Sequence, residues 1–274
     1  MQFLASHQDE AAILAGGTDI LVQVKQKKRL PKYLVNIKGV SGLDGITYNG
    51  QGLRLGALTT IRTIETSPII KEKYPVLAEA AATIGSVQVR NRGTLGGNLC
   101  NASPAADMAA PLIALGATAR ILGPQGERTV SMEEFFAGPG KTVLGPGEVL
   151  AEVAVPPPSP RSAGAYIKLG PRKAMDIAVV GVAAVVTLES QGDRCRDVRI
   201  ALGSVAPIPL RAKKAETVLR GQVVSYDLAV TAGHKAMEEA SPITDIRGSA
   251  EYRRDMVGVL TRRAVLRALE AART

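Results

Sequence analysis

Two stretches of this sequence set paired glycines beside hydroxyl and amide side chains. The first is Ala15-Gly16-Gly17-Thr18-Asp19. The second is Gly93-Thr94-Leu95-Gly96-Gly97-Asn98-Leu99-Cys100-Asn101-Ala102-Ser103-Pro104-Ala105-Ala106-Asp107. Glycine lets a backbone turn through positive φ and approach a ligand closely. Successive unpaired N–H groups then make a concave anion site. Either stretch alone could be a tight turn. Two in one domain point to a pyrophosphate clasped from both sides, and so to a dinucleotide. Neither has the GxGxxG spacing of a Rossmann fold, and neither is a P-loop. Both lack lysine. Their neutral donors (Thr18, Thr94, Asn98, Asn101, Ser103) suit an internal pyrophosphate that is held rather than transferred.

Two charged residues could also bear on such a ligand. Asp107 precedes an apolar run and is either a helix N-cap or the partner of a ribityl or ribose hydroxyl. Lys168 sits in Gly164-Ala165-Tyr166-Ile167-Lys168-Leu169-Gly170, an alternating strand pattern. It is either a solvated edge residue or, pointing inward, a cation that favours the anionic form of a reduced ring. His7 and His234 are the only histidines, and no Ser–His–Asp, Cys–His or paired-carboxylate set is identifiable. No catalytic residue is therefore assigned. Cys100 and Cys195 form no CxxC, suggest no disulfide framework, and are too few for an iron–sulfur cluster, which takes about four thiolates. No metal site is expected. Chemistry in such a chain would rest on a cofactor.

The elements that must position these residues read as α+β. The chain has 274 residues, enough for two modest domains. Pro156-Pro157-Pro158-Ser159-Pro160 is stiff and poor in backbone donors, which places a boundary there. Before it, strands are expected at 12–14, 33–37, 45–48, 53–56, 117–122, 128–131 and 149–155. Helices are expected at 20–27, 60–66, 76–84 and 108–115, with Asn49-Gly50 as a hairpin turn. After it come strands at 163–169, 179–188 and 198–202, then helices at 211–220, 225–240 and 249–271. The formal charge of +9 is concentrated in short clusters such as Lys25-Gln26-Lys27-Lys28-Arg29 and Arg211-Ala212-Lys213-Lys214. With aromatics sparse and tryptophan absent, these read as solvated or partner-facing surface, and an acidic protein fits better than nucleic acid. No apolar run approaches the ~20 residues of a membrane span. The first residues have no signal-peptide pattern, so a cytoplasmic protein is expected.

The pairing of AGGTD with TLGGNLCNASPAAD resembles the FAD-binding medium subunit of molybdenum hydroxylases of the carbon monoxide and xanthine dehydrogenase type. Further segments fit: Gly147-Glu148-Val149-Leu150, Tyr166-Ile167-Lys168 through Arg172, Asp176-Ile177-Ala178, and Ile243 through Arg254. The resemblance implies a vanillyl-alcohol-oxidase-type FAD domain of two α/β subdomains over residues 1–158. A C-terminal domain with a small antiparallel sheet on helices would span 161–274. It implies that Ala15 to Asp19 and Gly93, Thr94, Gly96, Gly97 and Asn98 hold the pyrophosphate. Asn101 and Asp107 would contact the ribityl chain, and Leu150 and Lys168 would lie near the isoalloxazine ring. It also implies partners: a small subunit with two 2Fe–2S clusters and a large subunit with a molybdenum–pterin cofactor, assembled as a dimer of heterotrimers. This subunit would pass electrons from the clusters to NAD or another acceptor. Family members begin with a further strand and a complete helix, of which residues 2–7 would be the end. The lack of a cysteine-rich insert disfavours the hydroxybenzoyl-CoA reductase branch. Two other readings stay open, a stand-alone flavin-dependent reductase of the same broad fold and a scaffold that has lost FAD.

Overall fold

Alternating apolar residues build the first sheet. Leu53 and Leu55 of Gly52–Gly56 are fully buried while Arg54 between them is exposed, the period of two expected of a half-buried strand. Gly52–Gly56 pairs antiparallel with Ile46–Asn49 on one side and Val149–Val155 on the other. Thr118–Gly123 and Gly126–Ser131 complete five strands. The helices Ile61–Thr66, Pro75–Ala82 and Ala109–Ala114 cover it, and Ile61, Ile64, Leu77 and Leu112 join its core. Ahead of this sheet, Ala11–Leu14 and Tyr33–Asn36 form a parallel pair. Parallel strands need a crossover, and the helix Ile20–Lys25 lies within it. The computed structural model describes residues 1–172 and 174–274.

The second sheet is antiparallel, in the order Ser162–Leu169, Val180–Leu188, Cys195–Gly203, Leu210–Arg211. The helices Lys213–Leu219 and Ala250–Arg273 pack against it, and Tyr226–Glu239 packs on both of them. The N-termini of Tyr226–Glu239 and Ala250–Arg273 are fixed by Ser225 and Ser249, whose hydroxyls accept from the N–H groups of Leu228 and Tyr252. The two helices touch where Gly233 meets Gly258: a Cβ on Gly233 would stand 2.5 Å from the Gly258 carbonyl oxygen. The other face of the second sheet turns toward the first. Tyr166, Ala183 and Ala201 belong to the same apolar cluster as Leu53 and Leu112. Glu79 accepts from the Tyr166 N–H at 2.9 Å, and Arg267 donates to both Glu79 and the Tyr166 carbonyl.

The architecture is the mixed α+β arrangement that the sequence implies, with local differences. The second glycine stretch is not an extended loop. It follows a short helix, Val87–Arg90, and itself forms another, Leu95–Cys100, capped by the Thr94 hydroxyl accepting from Gly97 N–H. Glycine's low helix propensity hides such a turn in sequence. It forms because Leu95 and Leu99, four residues apart on one face, are fully buried. The hairpin turn is Gly50-Gln51 rather than Asn49-Gly50, since Asn49 pairs with Gly52. At Gly52 a positive φ of 122° and a carbonyl only 2.3 Å from any Cβ leave room for no other residue. The helix Pro68–Lys73 and the pair Phe136–Gly138 with Lys141–Thr142 have no counterpart in the sequence reading.

Candidate cofactor cleft

The two glycine stretches meet. A Cβ on Gly16 would lie 2.2 Å from the Arg92 carbonyl oxygen and 2.9 Å from Gly93 Cα, so only glycine allows the backbones to touch. Gly93 in turn faces the Thr18 hydroxyl. Along this junction runs a cleft of about 880 Å³, inside the ~300–1,000 Å³ range of small-molecule sites. Every expected residue of the two stretches lines it, from Ala15 through Asp19 and at Gly93, Thr94, Gly96, Gly97, Asn98, Asn101 and Asp107. Leu150 lines it as well.

The two backbones differ in what they offer. In the first stretch the N–H groups of Gly16, Gly17, Thr18 and Asp19 meet no acceptor among the described residues, and Gly17 turns through φ 84°. In the second the N–H groups are used internally. Those of Leu95 and Gly96 donate to the carbonyls of Thr59 and Ala57, and those of Gly97 and Asn98 donate to the Thr94 hydroxyl and carbonyl. The expectation that both stretches present free backbone donors is therefore corrected: packing against residues 57–59 and the Thr94 cap take up the first N–H groups of the second. Its remaining polar offer is side-chain. Asn98 Oδ1 is buried without a partner among the described residues, which costs free energy unless a ligand satisfies it. Asn101 accepts weakly from Gln23 at 3.4 Å. Asp19 precedes the helix Ile20–Lys25 without capping it, and burial raises its carboxyl above the usual value.

Asp107 is no helix cap. The following helix, Ala109–Ala114, has Met108 at its N-cap position. The Asp107 carboxylate instead accepts from the Tyr166 hydroxyl through Oδ1 and from the Lys168 ammonium through Oδ2, each at 2.8 Å. Lys168 also donates to the Thr83 carbonyl at 3.0 Å. Its strand is at the sheet edge, but the side chain points inward and is only 9% exposed, so the solvated-edge alternative fails. Lys168 lies behind Asp107 and lines a second cavity of about 420 Å³, with Arg172 and Asp176. Burial raises the Asp107 carboxyl, while Lys168 and Tyr166 oppose that rise. Burial and the adjacent carboxylate hold the Tyr166 phenol well above its ordinary value, so it stays protonated and donates. Tyr166 was not among the expected site residues. Its signal was its place two residues before Lys168 on the same strand face.

Of the remaining wall, part is apolar or inert, and Asp9, Arg29 and Asp176 add charged side chains to it. Leu150 is 3% exposed and pairs with Ile121 just after an irregularity in register. Burial pushes the Cys100 thiol up to about 12, so it remains protonated and unreactive. The turn before Leu150 is pinned by Glu148, which accepts from Gly145 N–H and from Arg128, all at 2.7 Å. Among the described residues, nothing in the cleft wall forms a nucleophile–base pair.

The family model described as the FAD binding domain in molybdopterin dehydrogenase matches residues 1–158. That of the CO dehydrogenase flavoprotein C-terminal domain matches 165–268. The chain is 34% identical to the 6-hydroxypseudooxynicotine dehydrogenase complex subunit alpha of Paenarthrobacter nicotinovorans, covering all of this chain and 92% of that one. It is 36% identical to the carbon monoxide dehydrogenase medium chain of Hydrogenophaga pseudoflava, covering 93% and 88%. A solved structure of that organism's carbon monoxide dehydrogenase, lacking the Mo-pyranopterin moiety, superposes with a TM-score of 0.94 at 36% identity over 99% of this chain and 93% of that chain.

Proposed function

Because the chain belongs to the family of FAD-binding medium subunits of molybdenum hydroxylases, we propose that it is the flavin station of an electron relay. It would receive electrons from 2Fe–2S clusters of a small partner subunit and pass them to NAD or another acceptor. Substrate oxidation would occur on a large molybdenum–pterin subunit, in a cytoplasmic dimer of heterotrimers. The cleft's junction carries this reading: four N–H groups of the first stretch that meet no acceptor among the described residues, a buried Asn98 Oδ1 free to accept from a ligand hydroxyl, and a Gly16 contact that no side chain could replace.

The residues present fit an extended dinucleotide. Gly16, Gly17, Thr18 and Asp19 would hold the pyrophosphate through backbone N–H groups, with Gly93, Thr94, Gly96, Gly97 and Asn98 closing the other side. Asn101 and Asp107 would meet the polyol chain, and Leu150 would exclude water from the ring. Lys168 would act from behind Asp107 as a fixed positive charge. When bound, a flavin supplies exchange of electrons singly on one side and in pairs on the other. No proton-transfer residue is then needed from this chain, in keeping with the lack of any histidine in the cleft wall. The FAD domain would span 1–158 and the C-terminal domain 161–274.

The small subunit would dock on Lys25, Lys27, Lys28 and Arg29. No acidic side chain pairs with them among the described residues, and exposed Leu21, Val22 and Leu30 lie beside them in sequence. By contrast Arg211 and Lys213 are occupied by Glu133, and Arg211 also by Glu216. Charge reversal at the four positions should dissociate the complex in a salt-dependent manner, and an unchanged complex would rule the surface out.

The direct test is the flavin content of the purified chain. Bound FAD with its visible absorbance is expected, and a colourless chain that refuses added FAD would sink the reading. Turnover of a small substrate with a nicotinamide by the isolated chain would instead favour a stand-alone reductase.

A further inference from the structure

Tyr166 reaches across from the second sheet into the core of the first. Strand geometry puts its side chain and that of Lys168 on one face, and both end on Asp107. The arrangement divides the carboxylate: one oxygen takes the phenol, the other the ammonium. A carboxylate has about four acceptor positions, so the unused ones remain for the cleft that Asp107 lines. Space for the phenol is reserved. A Cβ on Gly181 of the neighbouring strand would stand 2.8 Å from the Tyr166 hydroxyl. The Tyr166 backbone is held at both ends, its N–H by Glu79 and its carbonyl by Arg267.

Resting on the FAD reading above, we propose that Tyr166 is a positioning residue. With Lys168 it keeps Asp107 an ionised, acceptor-only carboxylate, so that the cleft at this point takes a hydroxyl or ring N–H donor of the cofactor. Buried carboxylates drift toward the neutral form unless charge or hydrogen bonds oppose it. Among the described residues, the groups facing Asp107 are Tyr166 and Lys168. Lys168 is also within electrostatic reach of Asp176 in the following loop, while Glu79 and Arg267 engage the Tyr166 backbone. Removing the phenol hydroxyl leaves Lys168 alone against burial. Asp107 then takes up a proton at higher pH than before, and the acceptor is lost.

The test is FAD affinity of the full chain, by quenching of flavin fluorescence, at pH 8 and pH 5.5. For Tyr166→Phe, affinity within about threefold of the parent chain is expected at pH 8, and about tenfold weaker at pH 5.5, the scale of a hydrogen bond to a charged group. Asp107→Asn should be weak at both values, with a flat profile. Gly181→Ala keeps the phenol but crowds its hydroxyl, and should reproduce the Tyr166→Phe profile. It serves as the test if Tyr166→Phe fails to fold by circular dichroism. A packing role alone would weaken binding equally at both pH values, and parallel profiles for parent and variants would overturn the proposal. A parent chain that binds no FAD at either pH would overturn the cofactor reading, and the positioning role with it.

Discussion

The two glycine stretches share one cleft and use their glycines for different ends. In the first, Gly16 and Gly17 shape a turn whose N–H groups face no acceptor among the described residues. In the second, Gly96 and Gly97 sit inside a short helix whose N–H groups are already bonded, and glycine there serves packing. A Cβ on Gly96 would fall 2.8 Å from the Ala57 carbonyl. Similar residue composition thus gives one segment that offers hydrogen bonds and one that offers shape. An anion gains from free donors in a pre-set turn, because no internal bond must first be broken. A close-packed helix instead fixes how near the ligand can come.

The comparison can be broken most sharply at Gly16. Gly16→Ala forces the two stretches apart against backbone, and FAD affinity should fall by roughly a hundredfold, from about 3 kcal/mol of overpacking. Titration with FAD measures it, and an unchanged affinity would show that the contact is incidental. Gly96→Ala should act on the fold itself, lowering stability by about 2 kcal/mol in denaturant unfolding of the flavin-free chain. If it altered only affinity, the packing role would be wrong. Asn98→Ala should separate ligand from fold. Affinity should drop about five- to tenfold, while the flavin-free chain keeps or gains stability, because a buried unpartnered acceptor is removed. Thr94→Ala loses the helix cap and should cost about 1 kcal/mol of stability, read from the same unfolding curves.

The smallest effect belongs to the turn beside Leu150. Arg128 holds the Glu148 carboxyl down at about 2 from an ordinary 4.5. A folded-state value below the unfolded one stabilises the chain above pH 4.5 and is lost as pH falls from there toward 2. The difference in melting temperature between the parent and Arg128→Ala, worth under about 1 kcal/mol for an exposed pair, should shrink between pH 7 and pH 3. A gap that stays constant would mean that Arg128 acts by packing alone.

Much of this was legible in the chain. The alternation of Leu53 and Leu55 and the glycine pairs are local signals. Local geometry depends on near neighbours in sequence, so residue type and spacing suffice to read them. The glycine stretches likewise pointed to a dinucleotide, and the resemblance that they carry pointed to FAD. What tertiary structure decided is where polar groups find their partners. Asp107 could cap a helix or face a ligand, and Lys168 could be solvated or buried. Only the docking of the second sheet on the first brings them, with Tyr166, within 2.8 Å contacts. Whether a glycine's N–H is free was likewise beyond the sequence, because the acceptors for Leu95 and Gly96 lie 36 and 39 residues away, on Thr59 and Ala57. Hydrogen bonding is satisfied by proximity in space, and that proximity is fixed only when the cores of both sheets have packed.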